Sequence, residues 1–519
     1  MRYLTDKLLV RLAYFYIIFP FFLFCIGWLR WYYGLGMVAI LVISFFLAVK
    51  NSEVRNSDAW KHRYSILLAV IIISVIVFFS GIGMFSYQVE DNYTRNVLFR
   101  DLVTHRWPYR LNETGNIPGL NGPVLYIYYI EYWLPAALIG KVFGFFAANV
   151  FFYLWTVAGM GLAYYFICRL LRRYSLWVLF VFLFFNSLYI LVSVLKFPVY
   201  EVIIHDYLSW SLNGGGMLLA GSCLDSLFWI FNQTVVPWLI MAMMLGSKNS
   251  GKNIFFLYAL CYLHGPFIFI GFFPFLFASI LQQIKYSNLS IFETIKEYIS
   301  FQNFIAAPLI VIISFFYLSG SYAVERLYFA PIKFTKFALY ELLMFGIISV
   351  IIFKRYKRDA NYYIMIGMFA LLPLIAMGTI QPITFCARVS LVPQFILMIF
   401  VAKIIAESGV SLLKKVVIAY VVIGAVEPIL DFGRSVVFTV GYYIKPVTMN
   451  TFLLNRTSKY QYMERVDMLP KNADLNKANF LILDGRTTQD TALPKGSPLI
   501  HLAKQRDETI FNKYLLKKN

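Results

Sequence analysis

The chain has 519 residues, of which 60% are hydrophobic, 19% aromatic and only 14% charged, and its mean hydropathy is +0.69. Soluble domains carry about 25% charged residues, so this composition excludes a soluble globular protein. The net charge is +20, but much of the basic charge lies in short loops between apolar segments, where it sets membrane topology, so no nucleic-acid partner is expected. The five cysteines are scattered without metal-ligand or disulfide spacing.

Apolar segments of about twenty residues recur along the chain, and this length crosses a hydrocarbon core of about 30 Å. The first segment lacks a small-residue cleavage site, so it is interpreted as an uncleaved span. Basic short loops face the cytoplasm, and placing the five clearest ones on one side predicts an all-α polytopic membrane protein with about thirteen transmembrane helices. Its N-terminus is then cytoplasmic and its C-terminus external. The predicted spans are residues 9–29, 34–49, 65–86, 145–168, 175–195, 229–246, 254–268, 269–284, 304–319, 336–353, 361–379, 391–407 and 415–431.

This topology depends on one joint, residues 254–284, whose span boundaries the sequence leaves open. Residues 254–284 must form a hairpin of two short helices, broken near "HGPF" or "GFFPF", because a single long helix there would reverse every later loop. The predicted domains are a transmembrane domain over 1–431, whose long external loop 87–144 is the candidate catalytic loop, and an external tail over 432–519. The tail is a small cap at most.

The external loop opens with an acidic pair, Glu90 and Asp91, directly after the third span. A carboxylate at the membrane boundary faces an aqueous cavity or has a partner, and Arg95 is one helical turn from Asp91. Leu98, Phe99, Leu102 and Val103 form a helical apolar stripe, which predicts a short helix lying in the interface. The alternative is an ordinary helix start, where acidic residues are favoured by the helix dipole.

A second interfacial helix is predicted in "GPVLYIYYIEYWLPAALIGKVFG", residues 122–144, because its aromatic residues suit the membrane boundary. The order of an acidic pair, a polar helix, "RWP", "GPVLY", "GKVFG" and a span ending in arginines resembles the first external loop of GT-C glycosyltransferases. Among these it resembles bacterial enzymes that modify O-antigen, a part of lipopolysaccharide, and other cell-surface glycans. The resemblance covers residues 87–173. It departs from the family pattern because "GPVLY" replaces a double proline and two additional spans precede the loop besides the usual one.

The resemblance implies a polyprenyl-phosphate sugar as donor and Asp91 as catalytic base, with Glu90 as the neighbouring candidate. A carboxylate within hydrogen-bond reach takes the proton of the acceptor hydroxyl as it attacks the anomeric carbon. The leaving phosphate needs cationic partners, and Arg388 is the first choice because it lies in a short outer loop. Further candidates are Arg326, Lys196 and Arg95. The alternative for Arg388 is a side chain that reaches the lipid headgroups.

Candidate sugar- or acceptor-binding residues lie in the second external loop and in the helices beside it. Flat aromatic rings stack on sugars and amides bridge hydroxyl groups, but tryptophan also belongs to the interfacial belt. A histidine at membrane depth is a functional candidate, although a histidine satisfied at a Gly-Pro kink is equally ordinary. The candidates are His205, Asp206, Trp210, Asn232, Gln233 and His264. His205 and Asp206 lack a third close ligand, so no cofactor is predicted, and the alternative for this pair is a divalent metal site.

The predicted function is therefore a glycosyltransferase in a bacterial inner membrane. It moves a sugar from a polyprenyl-phosphate carrier to a lipid-linked or cell-surface glycan on the periplasmic face by a single inverting displacement, and membrane lipids surround it. One alternative is a flippase or transporter of lipid-linked oligosaccharide. Such proteins often consist of two similar halves, and this sequence shows no internal duplication. Another is a polysaccharide polymerase or ligase, whose main catalytic loop is expected late in the chain.

Overall fold

The computed structural model describes residues 2–52, 58–89, 91–111, 124–125, 127–188, 190–191, 221–246, 251–286, 290–319, 327–329, 345–377, 384–444 and 511–517. These residues are predominantly helical. The helices are α1 (Arg2–Trp28), α2 (Trp31–Asn51), α3 (Arg63–Phe79), α4 (Asp91–Thr104), α5 (Leu134–Phe143), α6 (Phe145–Leu171), α7 (Leu176–Phe184), α8 (Cys223–Gly246), α9 (Gly251–His264), α10 (Pro266–Tyr286), α11 (Ile291–Tyr298), α12 (Ala307–Ser319), α13 (345–356), α14 (Ala360–Leu371), α15 (Thr384–Val389), α16 (Leu391–Ala406), α17 (Leu412–Gly424) and α18 (Val426–Ile444). Two short antiparallel pairs join them, β1 (Arg110–Leu111) with β2 (Val124–Leu125) and β3 (Leu327–Phe329) with β4 (Ile375–Met377).

Nine helical stretches in the described ranges are long and apolar enough to cross a membrane, and they confirm the all-α polytopic class. They are Asp6–Trp28, Trp31–Asn51, Ala59–Phe79, Phe145–Leu171, Cys223–Gly246, Pro266–Ile284, Gln302–Ser319, Thr384–Ala406 and Leu412–Gly441. Each overlaps one of the thirteen predicted spans. The other four predicted spans, 175–195, 254–268, 336–353 and 361–379, overlap the shorter helices α7, α9, α13 and α14, and the last of these spans also contains strand β4. The number thirteen therefore stays a prediction.

The helix ends that carry most of the basic loops meet at one end of the bundle. Asn253 Nδ2 donates to the carbonyl of Ala48 at 2.9 Å, which joins the start of α9 to the end of α2. Arg173 Nη1 donates to the carbonyl of Ala406 at 2.7 Å, and Glu407 pairs with Arg355 at 2.5 Å. We call this end, marked by these residues, the basic face.

The opposite end, which we call the loop face, carries the turn between α1 and α2 together with α4 and α5. The rings of Trp28 and Trp107 are 5.5 Å apart, and Tyr87 N donates to Thr439 Oγ1 at 2.9 Å. This second bond joins α18 to the turn after α3. The described residues of the predicted external loop 87–144 therefore lie at the end of the bundle away from the basic face.

The apolar stripe predicted on α4 is buried, but its partner is the protein. The side chains of Leu98, Phe99, Leu102 and Val103 are all less than 9% exposed. Phe99 lies 5.6 Å and 5.1 Å, ring to ring, from two phenylalanines of α6, Phe145 and Phe152. The stripe predicted to rest on lipid thus fastens α4 to the transmembrane bundle.

The hairpin predicted over residues 254–284 is confirmed, and its break falls in "HGPF". Helix α9 ends at His264 and α10 begins at Pro266, with Gly265 between them. The two helices run antiparallel, since the Tyr258 hydroxyl donates to the carbonyl of Phe269 at 2.9 Å. The proline of "GFFPF" lies inside α10.

Two segments of the C-terminal region contact the loop face. Helix α18 continues past residue 431 to Ile444, so the predicted boundary with the tail lies within a helix. Much further along, Lys517 N donates to the carbonyl of Trp28 at 2.8 Å, and Arg30 N donates to the carbonyl of Leu515 at 2.8 Å. Residues 445–510 lie outside the described part of the chain.

Candidate functional site

Helix α4 begins at Asp91, immediately after the turn that follows α3. The structure therefore gives the backbone position of the predicted catalytic base, at the loop face and at a helix N-terminus. Its side chain and the whole of Glu90 lie outside the described atoms. Acidic residues at a helix start are stabilised by the helix dipole, so this position suits both the catalytic and the structural interpretation.

The residues that follow Asp91 attach α4 to the middle of the bundle. Asn92 Nδ2 donates to the carbonyl of Phe228 on α8 at 3.3 Å, and Arg95 Nη1 donates to Asn92 Oδ1 at 3.0 Å. The Arg95 guanidinium lies 5.8 Å from the Phe231 ring, and the side chain is only 6% exposed. Through these contacts Arg95 helps to join α4 to α8. Its role as a phosphate ligand stays a prediction.

A pair of ionisable side chains is buried beside α8. Glu131 lies in a short helical turn, Ile130–Trp133, just before α5, and its Oε2 is 3.3 Å from Nε2 of His264. Both residues are 0% exposed. The two atoms are close but are not aligned for a hydrogen bond, and among the described residues neither side chain has a hydrogen-bond partner.

Two amides on α8 share this property. Asn232 is 0% and Gln233 is 3% exposed, and within the described ranges both polar atoms of Asn232 and Oε1 of Gln233 are buried without hydrogen bonds. A Cβ atom placed on Gly265 would lie 3.3 Å from the carbonyl oxygen of Gln233, so α8 runs against the tip of the α9–α10 hairpin. We call Glu131, Asn232, Gln233 and His264 the buried quartet.

Buried polar groups are nearly always hydrogen-bonded. Buried polar atoms without a partner in the protein therefore indicate a bond to water or to a ligand. The quartet offers carboxylate, amide and imidazole groups, which are neutral or acidic partners for hydroxyl groups. Tyr132 and Trp133 place their rings 5.9 Å and 5.8 Å from Phe231 beside it. Each of the four quartet side chains can therefore hydrogen-bond to a hydroxyl group, such as that of water or a sugar.

Arg388 lies close to the chain segment that carries Glu131. It is half-buried in α15, and α15 contacts the start of α10 through the rings of Phe385 and Phe267, 6.1 Å apart. Burial and the neighbouring Tyr128 raise the pKa of the Tyr129 hydroxyl, and the positive charge of Arg388 acts in the opposite direction. The first-choice phosphate ligand is therefore electrostatically coupled to a residue two positions from Glu131.

The structure thus relates several predicted site residues and leaves others unplaced. It brings α8, which carries Asn232 and Gln233, next to the hairpin tip at which His264 ends α9, and Arg95 of α4 contacts Phe231 of α8. The predicted residues that lie outside the described ranges are Glu90, Lys196, His205, Asp206, Trp210 and Arg326. Among the described residues no group of three or more histidines, cysteines or carboxylates is arranged to hold a metal ion.

Sequence reasoning missed two carboxylates that the structure makes conspicuous. The sequence shows Glu131 as an acidic residue within a run of aromatic residues, but His264, which lies beside it in the structure, is more than 130 positions away in the chain. Asp101 is 3% exposed, and burial raises its pKa to about 7, while the Arg100 guanidinium at 3.5 Å acts in the opposite direction. Only the packing of α4 on the bundle reveals that burial.

The bundle of long apolar helices defines the class of the molecule, an all-α polytopic integral membrane protein. Comparison of the chain with protein-family models, with curated proteins and with solved structures gave no match. The arguments for function therefore rest on the site and on the resemblance of its first external loop.

Proposed function

We propose that this protein is a membrane glycosyltransferase that moves a sugar from a polyprenyl-phosphate carrier to a lipid-linked or cell-surface glycan, with Asp91 as general base. The observation that carries the proposal is the position of Asp91. Its helix begins at the loop face directly after α3, and the next residue, Asn92, hydrogen-bonds to α8. A base at this depth meets the headgroup of a lipid-linked donor, where its phosphate and sugar lie.

In the proposed reaction the Asp91 carboxylate removes the proton of the acceptor hydroxyl, whose oxygen attacks the anomeric carbon. The bond from that carbon to the phosphate oxygen breaks with inversion, and the lipid phosphate leaves as an anion. In this proposal Arg388 stabilises that anion, since a guanidinium binds phosphate oxygens in a forked geometry. The buried quartet supplies hydrogen-bonding groups for sugar hydroxyls on the side of α8 next to the hairpin.

The proposed location is a bacterial inner membrane with the loop face periplasmic. The basic face carries the lysine- and arginine-rich turns, which remain cytoplasmic in most membrane proteins. Polyprenyl-phosphate sugars used outside the cytoplasm are then presented on the same side as Asp91.

The direct test is sugar transfer by Asp91→Asn in membranes supplied with radiolabelled polyprenyl-phosphate sugars. We expect transfer to fall by about 100-fold or more, as for loss of a general base. Asp101→Asn, the same chemical change ten residues along the same helix, is the matched control and should retain transfer. Full activity in Asp91→Asn at normal expression contradicts Asp91 as base, and a wild type that uses no donor of this class contradicts the whole proposal.

A second candidate, a transporter of lipid-linked oligosaccharide, is favoured by one observation. Transporters place ionisable groups beside interrupted helices, and His264 ends α9 at the break while contacting Glu131. Reconstituted vesicles loaded with a fluorescent lipid-linked oligosaccharide distinguish the two functions. Protein-dependent movement between leaflets, without any new glycosidic bond, would favour the transporter.

A further inference from the structure

A groove of about 410 Å³ opens at the basic face between α10 and α14, remote from the loop face. Phe277 and Leu281 of α10 form one wall, and Tyr363 and Ile364 of α14 form the other. Phe277, Leu281 and Tyr363 are 54%, 49% and 53% exposed. Such a wall, on helices that face lipid, is suited to a hydrocarbon chain.

Two cations stand at the polar end of this groove. Lys357 and Arg358 occupy the turn between α13 and α14 and line the groove. Arg355, two residues earlier, already pairs with Glu407 at 2.5 Å. Within the part of the chain that is described, Lys357 and Arg358 have no acidic partner. The Tyr363 hydroxyl donates to the carbonyl of Lys357 at 2.8 Å, which holds the turn in place.

We propose that this groove is a binding site for one anionic phospholipid, with its phosphate on Lys357 and Arg358 and an acyl chain between Phe277 and Tyr363. The charge decides the occupant. A zwitterionic lipid offers a phosphate accompanied by its own cation, whereas an anionic lipid leaves a net negative charge for the two free side chains. The depth also fits, because the groove runs from the ends of the helices into their apolar parts.

The groove is connected to the candidate site through α10. Pro274 lines it and lies inside α10, where it removes one backbone hydrogen bond and favours a bend. One turn before, a Cβ atom on Gly271 would lie 2.7 Å from the carbonyl oxygen of Val389, the residue after Arg388. A lipid that packs against the C-terminal half of α10 therefore stabilises the contact between α10 and α15, the helix that carries Arg388.

The test is lipid retention measured by native mass spectrometry. The full-length protein is reconstituted with equal amounts of phosphatidylglycerol and phosphatidylcholine, then extracted into detergent. We expect wild type to keep one phosphatidylglycerol, and Lys357→Gln/Arg358→Gln to keep at least about tenfold less, because it loses two charge-assisted contacts. Lys50→Gln/Lys415→Gln removes the same charge from the same face outside the groove and should retain lipid like wild type.

A second variant separates the groove from general surface charge. Ala278→Leu narrows the apolar part while leaving both cations in place, and we expect it to lower retention as well. Equal retention in wild type and Lys357→Gln/Arg358→Gln overturns the proposal, as does equal retention of the two lipids by wild type. Unchanged retention in Ala278→Leu also overturns it, because the lipid would then be held by surface charge alone.

Discussion

Glu131 and His264 lie 3.3 Å apart with no exposed surface, and such a pair is costly to maintain. Taking an ionisable group out of water is unfavourable unless hydrogen bonds replace the lost hydration. Neither side chain has such bonds within the described residues. Polar groups kept at this cost are usually kept for function, and their removal often stabilises a protein while it lowers activity.

We therefore predict that Glu131→Gln lowers sugar transfer about fivefold, the effect of losing one hydrogen bond, without lowering the thermal unfolding midpoint. The amide keeps the volume of the carboxylate but removes an uncompensated ionisable group. Activity and midpoint are measured on the same detergent-purified sample. Glu407→Gln, at an exposed ion pair with Arg355, is the control and should change neither by much. If the thermal unfolding midpoint of Glu131→Gln instead falls clearly below that of wild type, Glu131 has a structural role.

Asp101 gives a prediction that depends on pH. Its folded-state pKa of about 7 is above its ordinary value of 3.8, so the folded protein binds the proton more tightly than the unfolded chain. The contribution of Asp101 to stability is then highest below pH 4, falls as pH rises towards 7, and levels off above it. Asp101→Asn should remove this loss of stability at rising pH. The thermal unfolding midpoint of the variant should therefore exceed that of wild type by more at pH 8 than at pH 5. Arg100→Gln should steepen the fall, and parallel curves for all three proteins would contradict the assignment.

At the scale of elements, α4 is positioned by close contact with α5 and α6. Phe99 and Val103 face these two helices, and Lys141 at the end of α5 donates from Nζ to the carbonyl of His105. Gly140 allows this approach, because a Cβ atom there would lie 2.7 Å from Cβ of Ala148 and 2.8 Å from Cγ1 of Val103. The position of Asp91 thus depends on a glycine about fifty residues later.

Gly140→Ala is expected to destabilise the protein by about 1–3 kcal/mol, the range for an overpacked contact, and to lower sugar transfer. The added methyl group has to displace α4 or distort α6. Gly36→Ala makes the same change in α2, where nothing lies within 4 Å, and should be neutral or slightly stabilising because alanine favours helix. Thermal midpoints of the two variants provide the comparison, and equal midpoints would show that the Gly140 contact is loose.

At the scale of the molecule, the two faces make the topology testable. Trp31 at the start of α2 is 72% exposed and lies at the loop face, whereas Lys415 in α17 lies at the basic face. In intact bacterial cells a membrane-impermeant maleimide should label Trp31→Cys and leave Lys415→Cys unlabelled until the membrane is opened. The reverse pattern would invert the proposed orientation.

The sequence predicted the long spans and the hairpin break because both depend on local features. Apolar length determines a span, and Gly265-Pro266 is one of the two proline sites at which the sequence allows the break. The partner of the α4 stripe could not be predicted, since lipid and protein interior are both apolar and only tertiary packing selects between them. The burial of Asp101 and the pairing of Glu131 with His264 likewise require segments distant in the chain.

The pairing of residues 511–517 with the turn at Trp28 and Arg30 also constrains biogenesis. Nearly five hundred residues separate the two partners, so every intervening helix is synthesised and inserted before they meet. During that interval the first helical hairpin offers an incomplete surface to chaperones and to the insertion machinery. The contact at Trp28 and Arg30 therefore forms only after the helices between the two segments have been synthesised.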